Sequence, residues 1–173
     1  MMEETYVEST DDGLFLAVDD DENVQDNKYL LFNLGGEVYG ISIAHVTEII
    51  EIQSITAVPD ITGYLKGVIN LRGRIIPVMD LRLRFGMDGR EFDDRTCIVI
   101  VNINDKSLGM IVDTVAEVQD IVADNIEPPP SFKSDSTGND FIQGLGKIED
   151  RVVILIDVER ITNGQDLEIS GEE

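Results

Sequence analysis

The chain has 173 residues, 42% of them apolar, and a formal net charge of −22. This length suits one domain or two small ones that share a hydrophobic core. So strong a negative charge repels phosphate backbones and anionic lipid headgroups, which argues against nucleic-acid binding and direct membrane binding. The sequence has neither an apolar run of the ~20 residues that span a bilayer nor a signal peptide, so we expect a soluble, cytoplasmic protein.

The first 27 residues contain ten acidic side chains and no Lys or Arg. These charges repel one another and there is little apolar periodicity, so we predict that residues 1–27 form a disordered or loosely held tail. A less favoured alternative is that the apolar run at 13–18 docks on the rest of the protein. Residues 163–173 are also polar and acidic, and we expect them to form a second tail.

Two apolar runs rich in β-branched and aromatic residues follow, at 29–34 and 37–43. Gly35-Gly36 separates them, which is typical of a β-hairpin. Apolar residues at helical spacing then predict a short helix over 43–50.

A second predicted hairpin has strands at 67–71 and 74–81, around Arg72-Gly73. Pro77 in its second strand indicates an edge strand or a bulge, because proline cannot donate to a sheet ladder. Asp80 precedes LRLRF and is a suitable N-cap for a short helix. CIVIVNI, SLGMIVD and VVILID are further strand candidates, so the predicted fold is mostly β with short helices.

An internal repeat relates the two halves of this β-rich region. Three residues recur 69 positions later, and three others recur 77 positions later. The first set is Gly40, Val46 and Glu48, matched by Gly109, Val115 and Glu117; the second is Gly67, Arg74 and Asp80, matched by Gly144, Arg151 and Asp157. We infer two copies of one small β unit, the second with an insertion between Val118 and Asp140. Short strands separated by turns suggest a pair of small closed or half-closed barrels.

Residues shared by the two copies are expected to maintain the fold. The recurring glycines would occupy turns or bulges, and Asp80 and Asp157 would cap helices. The copies differ at one hairpin tip, where Leu71-Arg72-Gly73-Arg74 corresponds to Ile148-Glu149-Asp150-Arg151. Arg72 is either an ordinary exposed turn residue, whose ion pairs are worth ~0–1 kcal/mol, or a residue specialised for binding.

Little in the sequence indicates catalysis. His45 and Cys97 are the only residues of their types, and neither has the partners that nucleophilic catalysis or metal binding requires. We therefore predict a non-catalytic protein without a metal or a cofactor. Cys97 is expected to be a buried apolar residue. A hydrolase that uses paired carboxylates stays a distant alternative.

The turn Asn70-Leu71-Arg72-Gly73, with Pro77-Val78-Met79-Asp80-Leu81-Arg82 behind it, resembles the CheW family of chemotaxis coupling proteins. Further similar stretches are YGISIAHVTEI, the stretch from Thr96 through GMIVDTVAEV, NIEPPP before Phe132, and GLGKIEDRVVILIDVERI. The resemblance covers about residues 28–162. It is specific, because several motifs occur in order at compatible spacing.

The resemblance implies two SH3-like five-stranded β-barrel subdomains, intertwined around a shared hydrophobic centre and spanning roughly 35–90 and 95–162. It also implies that the protein has no catalytic activity. CheW-like proteins bind the cytoplasmic tips of chemoreceptors and the regulatory domain of the histidine kinase CheA. They alternate with that domain in rings that link receptors into arrays. We expect a monomer when the protein is alone and a ring or an array in complex.

The family pattern also implies which residues bind each partner. The receptor-binding residues would be Val46, Glu48, Arg72 and Gly73, with Cys97 and Ile98 lining the same groove. The kinase contact on the second barrel would involve Glu127 and Phe132. Phe132 follows a rigid triple proline, and we expect it to be an exposed anchor, with burial beneath its loop as the alternative.

We further expect Glu48 and Arg72 to form an ion pair that orients both side chains for receptor binding. The alternative is two separate solvated side chains. In the second copy, Glu117 would face Glu149, and no such pair would form.

Two relatives of the family have a different domain content. The kinase itself would need several further domains, and a fused adaptor–receiver protein would need an α/β domain after Arg160, so we expect a stand-alone adaptor. The alternative from another class is a β-barrel ligand-binding or regulatory module outside signalling arrays.

Overall fold

The structure is a computed structural model that describes residues 27–59, 63–129 and 141–161 in full, and the backbone of residues 6–10 and 13–16. The strands, in chain order, are β1 Tyr6–Thr10, β2 Gly13–Leu16, β3 Lys28–Leu34, β4 Glu37–Ser42, β5 Val46–Glu51, β6 Leu65–Leu71, β7 Arg74–Asp80, β8 Cys97–Ile103, β9 Lys106–Val112, β10 Thr114–Asp120, β11 Ile126–Glu127, β12 Ile142–Ile148 and β13 Arg151–Ile156. The short helices are the 3-10 helix η1 Ile43–His45, α1 Leu81–Arg84, the 3-10 helix η2 Ala123–Asn125 and α2 Val158–Ile161. The predicted fold class, mostly β with short helices, is confirmed.

Two sheets carry the fold. The first sheet has the strand order β5-β8-β9-β7-β6, and the second has β10-β3-β4-β13-β12-β11. Each contains one parallel pair: Val78 lies opposite Gly109 in the first, and Leu155 lies opposite Gly40 in the second. Gly109 follows Gly40 by 69 positions and Leu155 follows Val78 by 77, so the parallel pairs obey both offsets of the internal repeat.

The two copies of the repeat exchange their first hairpins. β3 and β4 open the first copy but lie in the second sheet, whereas β8 and β9 open the second copy but lie in the first sheet. Each sheet therefore combines the first hairpin of one copy with the later strands of the other. The two sheets do not coincide with the spans 35–90 and 95–162, because no single cut in the chain separates the sheets.

Three apolar clusters stabilise this arrangement. A central cluster includes Leu30, Phe32, Val99, Met110 and Phe141 and draws on both sheets. The first-sheet cluster includes Ile50, Ile69, Ile98 and Ile111, and the second-sheet cluster includes Leu31, Ile121, Val153 and Leu155. Each sheet thus has its own apolar interior, and the central cluster joins the sheets.

The helix predicted over 43–50 is wrong beyond its first residues. Only η1 is helical, with Ser42 Oγ accepting a hydrogen bond from the amide of Ala44 at 3.2 Å, and β5 follows at once. The ladder between β5 and β8 shifts its register between Val46 and Glu48. Ile49 then packs in the central cluster and Ile50 in the first-sheet cluster. A strand buried on both faces imitates helical spacing, since adjacent residues are both apolar.

The recurring glycines divide into two kinds. Gly67 and Gly144 lie at register shifts of β6 and β12, and a Cβ there would sit 2.1 Å from the Thr56 carbonyl oxygen and 2.9 Å from that of Glu127, respectively. These are the predicted bulge glycines. Gly40 and Gly109 are neither turns nor bulges: they lie within strands, where a Cβ would approach core side chains to 3.0 Å and 2.8 Å.

The predicted helix caps are confirmed. Asp80 Oδ1 accepts a hydrogen bond from the amide of Arg82, and Asp157 Oδ1 accepts one from that of Glu159. Of the two alternatives for Pro77, the edge strand is wrong, because β7 lies inside the first sheet, between β9 and β6. The β6–β7 ladder does have a register shift beside Pro77, between Leu65 and Gly67 of β6. The parallel ladder of β7 with β9 begins one residue after Pro77, at Val78, so proline is tolerated just outside it.

The two edges of the first sheet come into contact with each other. β5 and β6 stand at opposite ends of the strand order, yet Thr56, just after β5, exchanges two backbone hydrogen bonds of 2.8 and 2.9 Å with Val68 of β6. The sheet therefore curls round on itself. This curvature brings β5 and the β6–β7 turn to the same rim.

Two short strands lie in the segment for which we predicted a disordered or loose tail. β1 and β2 form an antiparallel hairpin with Tyr6 opposite Leu16, and β2 lies alongside β5. These nine residues are thus more ordered than their acidic surroundings predict. Apart from Asn27, the remaining residues of the two predicted tails lie outside the described ranges.

Deleting residues 1–26 is expected to change the melting temperature by no more than about 3 °C at moderate salt. All three apolar clusters are built from residues 29–161, and self-repelling carboxylates add little to a core. A thermal melt followed by circular dichroism measures this. A drop of more than about 10 °C would mean that the hairpin packs as part of the core.

A cluster of charges at Asp113 connects the two sheets. Arg82 of α1 donates two hydrogen bonds to its carboxylate, at 2.9 and 3.0 Å, and the amide of Gly35 in the β3–β4 turn donates a third at 3.0 Å. Burial alone would raise the pKa of Asp113, but the hydrogen bonds from Arg82 and Gly35 and the nearby positive charges lower the pKa below its ordinary value of 3.8.

Replacing Asp113 with alanine is expected to lower the free energy of unfolding by about 2–3 kcal/mol at pH 7, because three hydrogen bonds to a charged group are lost. Since the folded-state pKa is lowered, this stabilisation is complete well above pH 3.8 and disappears as the pH falls through the folded-state pKa. Urea denaturation at pH 7 and pH 3 measures both effects. Asp120→Ala, which removes an exposed pair with Lys28, is the control and should cost under about 1 kcal/mol. Equal losses for both variants would contradict the prediction.

Two candidate partner-binding surfaces

The β6–β7 turn presents Arg72 to solvent. Arg72 and Gly73 have φ values of 52° and 89°, and the amide of Gly73 donates a 2.9 Å hydrogen bond to Asn70 Oδ1. The β8–β9 turn fills its two left-handed positions with Asn104 and Asp105, which tolerate that conformation. An arginine there has no such local advantage, so its presence favours a role beyond turn formation.

Arg72 and Glu48 form the predicted ion pair. The Arg72 guanidinium donates to Glu48 Oε2, and the two side chains are 56% and 13% exposed. Glu48 lies on β5 rather than at the end of a helix, and the curl of the first sheet brings it to Arg72. Glu48, Arg72 and Gly73 form a surface that we name the β5 rim, whereas Val46, the fourth candidate, packs against the central cluster.

Glu48 is the more buried member of the ion pair. Side chains alternate along a strand, so Glu48 shares a face with Ile50, which belongs to the first-sheet cluster. Leu71, next to Arg72, packs against the same cluster. The carboxylate therefore lies at the border of an apolar interior and holds a guanidinium whose side chain is 56% exposed.

The prediction that the second copy lacks such a pair is wrong. Glu117 forms an ion pair with Arg151, whose guanidinium lies 3.3 Å from its carboxylate. Arg151 is the counterpart of Arg74, whose guanidinium contacts Ser107 Oγ at 2.9 Å instead. Both copies thus form a glutamate–arginine pair, but in the first copy the arginine comes from the turn.

The two remaining receptor-site candidates lie elsewhere on the first sheet. Ile98 has no exposed surface and packs in the first-sheet cluster, so its side chain cannot contact a partner, and we remove it from the site. Cys97 is partly exposed but lies opposite Glu51, three residues beyond Glu48 and so about 10 Å along the strand. Burial raises the pKa of its thiol, which keeps it protonated and unreactive at neutral pH.

A second candidate surface lies on the other sheet. Glu127 of β11 is exposed and forms a 2.9 Å ion pair with Lys147 Nζ of β12. Lys147 lies directly opposite Val152, which is 54% exposed. Glu127, Lys147 and Val152 form what we name the β12 face. Phe132, the other kinase-contact candidate, lies outside the described residues.

The exposed valine of this face has a counterpart that our sequence analysis missed. Ile75 is 55% exposed and precedes Val152 by 77 positions, the second offset of the repeat. Both copies therefore expose a β-branched apolar residue at the same position of the same strand. The alignment of the two copies already matched Ile75 with Val152. It did not show that both are exposed, because alternation along a strand does not by itself say which positions face solvent.

The described part of the chain offers no group of three or more His, Cys, Asp or Glu side chains arranged to hold a metal ion. None of its helices is long and apolar enough to cross a membrane. His45 lies in η1, half-buried beside β5.

Comparison with known proteins identifies the family to which this fold belongs. The sequence matches the family model for the CheW-like domain over residues 28–166. The chain belongs to the CheW-like domain family. This match covers the whole β-rich region, from β3 through α2.

CheW-like relatives and a solved structure extend this result. The chain is 34% identical over 140 residues to the chemotaxis protein CheW of Klebsiella aerogenes, covering 81% of this chain and 84% of the relative. It is 35% identical over 134 residues to the CheW of Bacillus subtilis, covering 78% and 85%. The crystal structure of the scaffolding protein TtCheW from Thermoanaerobacter tengcongensis is similar with a TM-score of 0.73 and 38% identity, covering 81% of this chain and 96% of that one.

Proposed function

We propose that this chain is a non-catalytic chemotaxis adaptor that couples chemoreceptors to the histidine kinase CheA. Membership of the CheW-like family supports the adaptor role, and the similarity to a solved scaffolding protein supports it independently. The observation that carries the proposal is the β6–β7 turn. There a family motif, Asn70-Leu71-Arg72-Gly73, presents an exposed arginine oriented by Glu48.

In this proposal the β5 rim binds the cytoplasmic tip of a chemoreceptor. Arg72 supplies a directed positive charge on a protein of net charge −22, so it is a local attraction for an acidic group of the partner. Cys97 is a peripheral member of the site at the far end of β5.

The β12 face binds the regulatory domain of the kinase. The β12 face combines an exposed apolar residue, Val152, with the neighbouring Glu127–Lys147 ion pair. Apolar surface beside polar groups is the composition of a small interface core with a polar rim. Phe132 is retained as a proposed anchor in the segment that follows β11. Separate surfaces on the two sheets would let one adaptor hold both partners at once and act in rings at the membrane.

A pull-down tests the adaptor role. The chain should co-purify with a receptor cytoplasmic fragment and, in a separate experiment, with CheA. In the presence of labelled ATP, CheA should become labelled and the adaptor should not. Phosphate transfer to the adaptor would contradict a non-catalytic, non-accepting role, and failure to bind either partner would overturn the proposed function.

A further inference from the structure

The β5 rim lies next to the N-terminal hairpin of the same chain. Among the strands that the structure describes, β5 pairs with β8 alone, so one side of it offers backbone groups that join no described ladder. β2 lies along β5 with Cα atoms within 8 Å, closer than the ~10 Å between stacked sheets. Within the described residues β2 pairs with β1 and not with β5, so the hairpin lies against β5 without joining its ladder.

The length of β2 is sufficient to cover much of this strand. Gly13–Leu16 spans about 14 Å of extended chain, and Val46–Glu51 spans about 20 Å. β5 carries both Val46 and Glu48, and Glu48 holds Arg72. A partner that contacts β5 on the side where β2 lies therefore has to displace the hairpin.

Apolar and backbone contacts are the forces that can hold the hairpin there. β2 has the sequence GLFL, whereas the first 27 residues carry ten acidic and no basic side chains. The rest of the chain carries the other 25 acidic residues against 13 basic ones. Net repulsion thus opposes docking, and salt, which screens that repulsion, should strengthen it.

We infer that the N-terminal hairpin is an intramolecular competitor that occupies the β5 rim and must be displaced before a partner binds. The identity of that partner, a receptor tip, rests on the proposed function. Competition lowers the observed affinity by the fraction of molecules in which the rim is free. If the rim is free in about one molecule in ten, releasing the hairpin raises the affinity about tenfold.

The test uses the full-length chain with Leu14→Asp and Leu16→Asp, which makes β2 polar and keeps the acidic tail. Calorimetric titration with a receptor cytoplasmic fragment should give about tenfold tighter binding for this variant than for the wild type. The difference should grow between 0.1 and 0.5 M salt. A chain that starts at Asn27 should behave like the variant. Equal affinities for all three proteins would overturn the competition.

Hydrogen exchange separates this inference from the proposed function, because it needs no partner. The β5 amides should exchange more slowly in the wild type than in the variant, while β12 amides, far from the hairpin in sequence and in the other sheet, should not change. Unchanged β5 exchange would overturn hairpin docking. If β5 is protected but the fragment binds neither form, docking stands and the receptor assignment fails.

Discussion

Arg72→Glu is expected to weaken binding of a receptor cytoplasmic fragment about 30-fold, with the melting temperature unchanged. The substitution reverses an exposed charge at the proposed interface and places a second carboxylate beside Glu48, and losses of this kind cost about 2 kcal/mol or more. Arg72→Lys should recover part of the affinity, because it keeps the charge and loses the planar fork. Fluorescence anisotropy with a labelled fragment measures the three affinities.

The pairing itself is tested by a double-mutant cycle with Glu48→Ala and Arg72→Ala. Each single change should weaken receptor binding, and the double change should cost less than the sum of the two. The second copy offers a control, Glu117→Ala with Arg151→Ala, which removes an ion pair on the other sheet whose glutamate is more exposed than Glu48. Strict additivity at the first pair would refute a cooperative role, and an equal effect at the second pair would refute the assignment to the β5 rim.

Val152→Glu is expected to weaken binding to the kinase regulatory domain about 20-fold or more. Val152 is exposed, so the folded chain should tolerate glutamate, whereas an interface would have to desolvate an unpaired carboxylate. Surface plasmon resonance with immobilised regulatory domain gives the affinity, and circular dichroism verifies the fold.

Ile75→Glu is the control for this variant. Ile75 has the same exposure and the same strand position in the other sheet. It should leave the binary affinity for the kinase domain within about twofold. If Ile75→Glu weakens binding as strongly as Val152→Glu, the kinase contact does not belong to the β12 face.

Much of the fold could be predicted from local chemistry. Gly35-Gly36 and Arg72-Gly73 specify tight turns, and Asp80 and Asp157 have the right side chain and position to cap a helix. The repeat offsets predicted which residues occupy equivalent places, and the parallel pairs of Gly40 with Leu155 and of Gly109 with Val78 follow those offsets.

The repeat alone could not predict which strands are exchanged, because an internal repeat says which segments are alike and not which of them pair. The helix error at Ile49 and Ile50 has a related cause, since two neighbouring apolar residues can serve two different cores. The Glu48–Arg72 pair was predicted correctly from the wrong secondary structure: the curl of the sheet, not a helix, brings the charges together. In the second copy the partner of Glu117 is Arg151, at the start of β13, and not a residue of the turn.

The coupling role is tested most directly by reconstituting receptor-containing membranes with CheA and this protein and measuring kinase autophosphorylation. The wild type should make kinase activity depend on the receptor. Arg72→Glu and Val152→Glu should each abolish that dependence. The first loses binding to the receptor and the second loses binding to the kinase. Ile75→Glu is the comparison variant for both. Kinase activity that is the same with and without the wild-type chain would contradict the account.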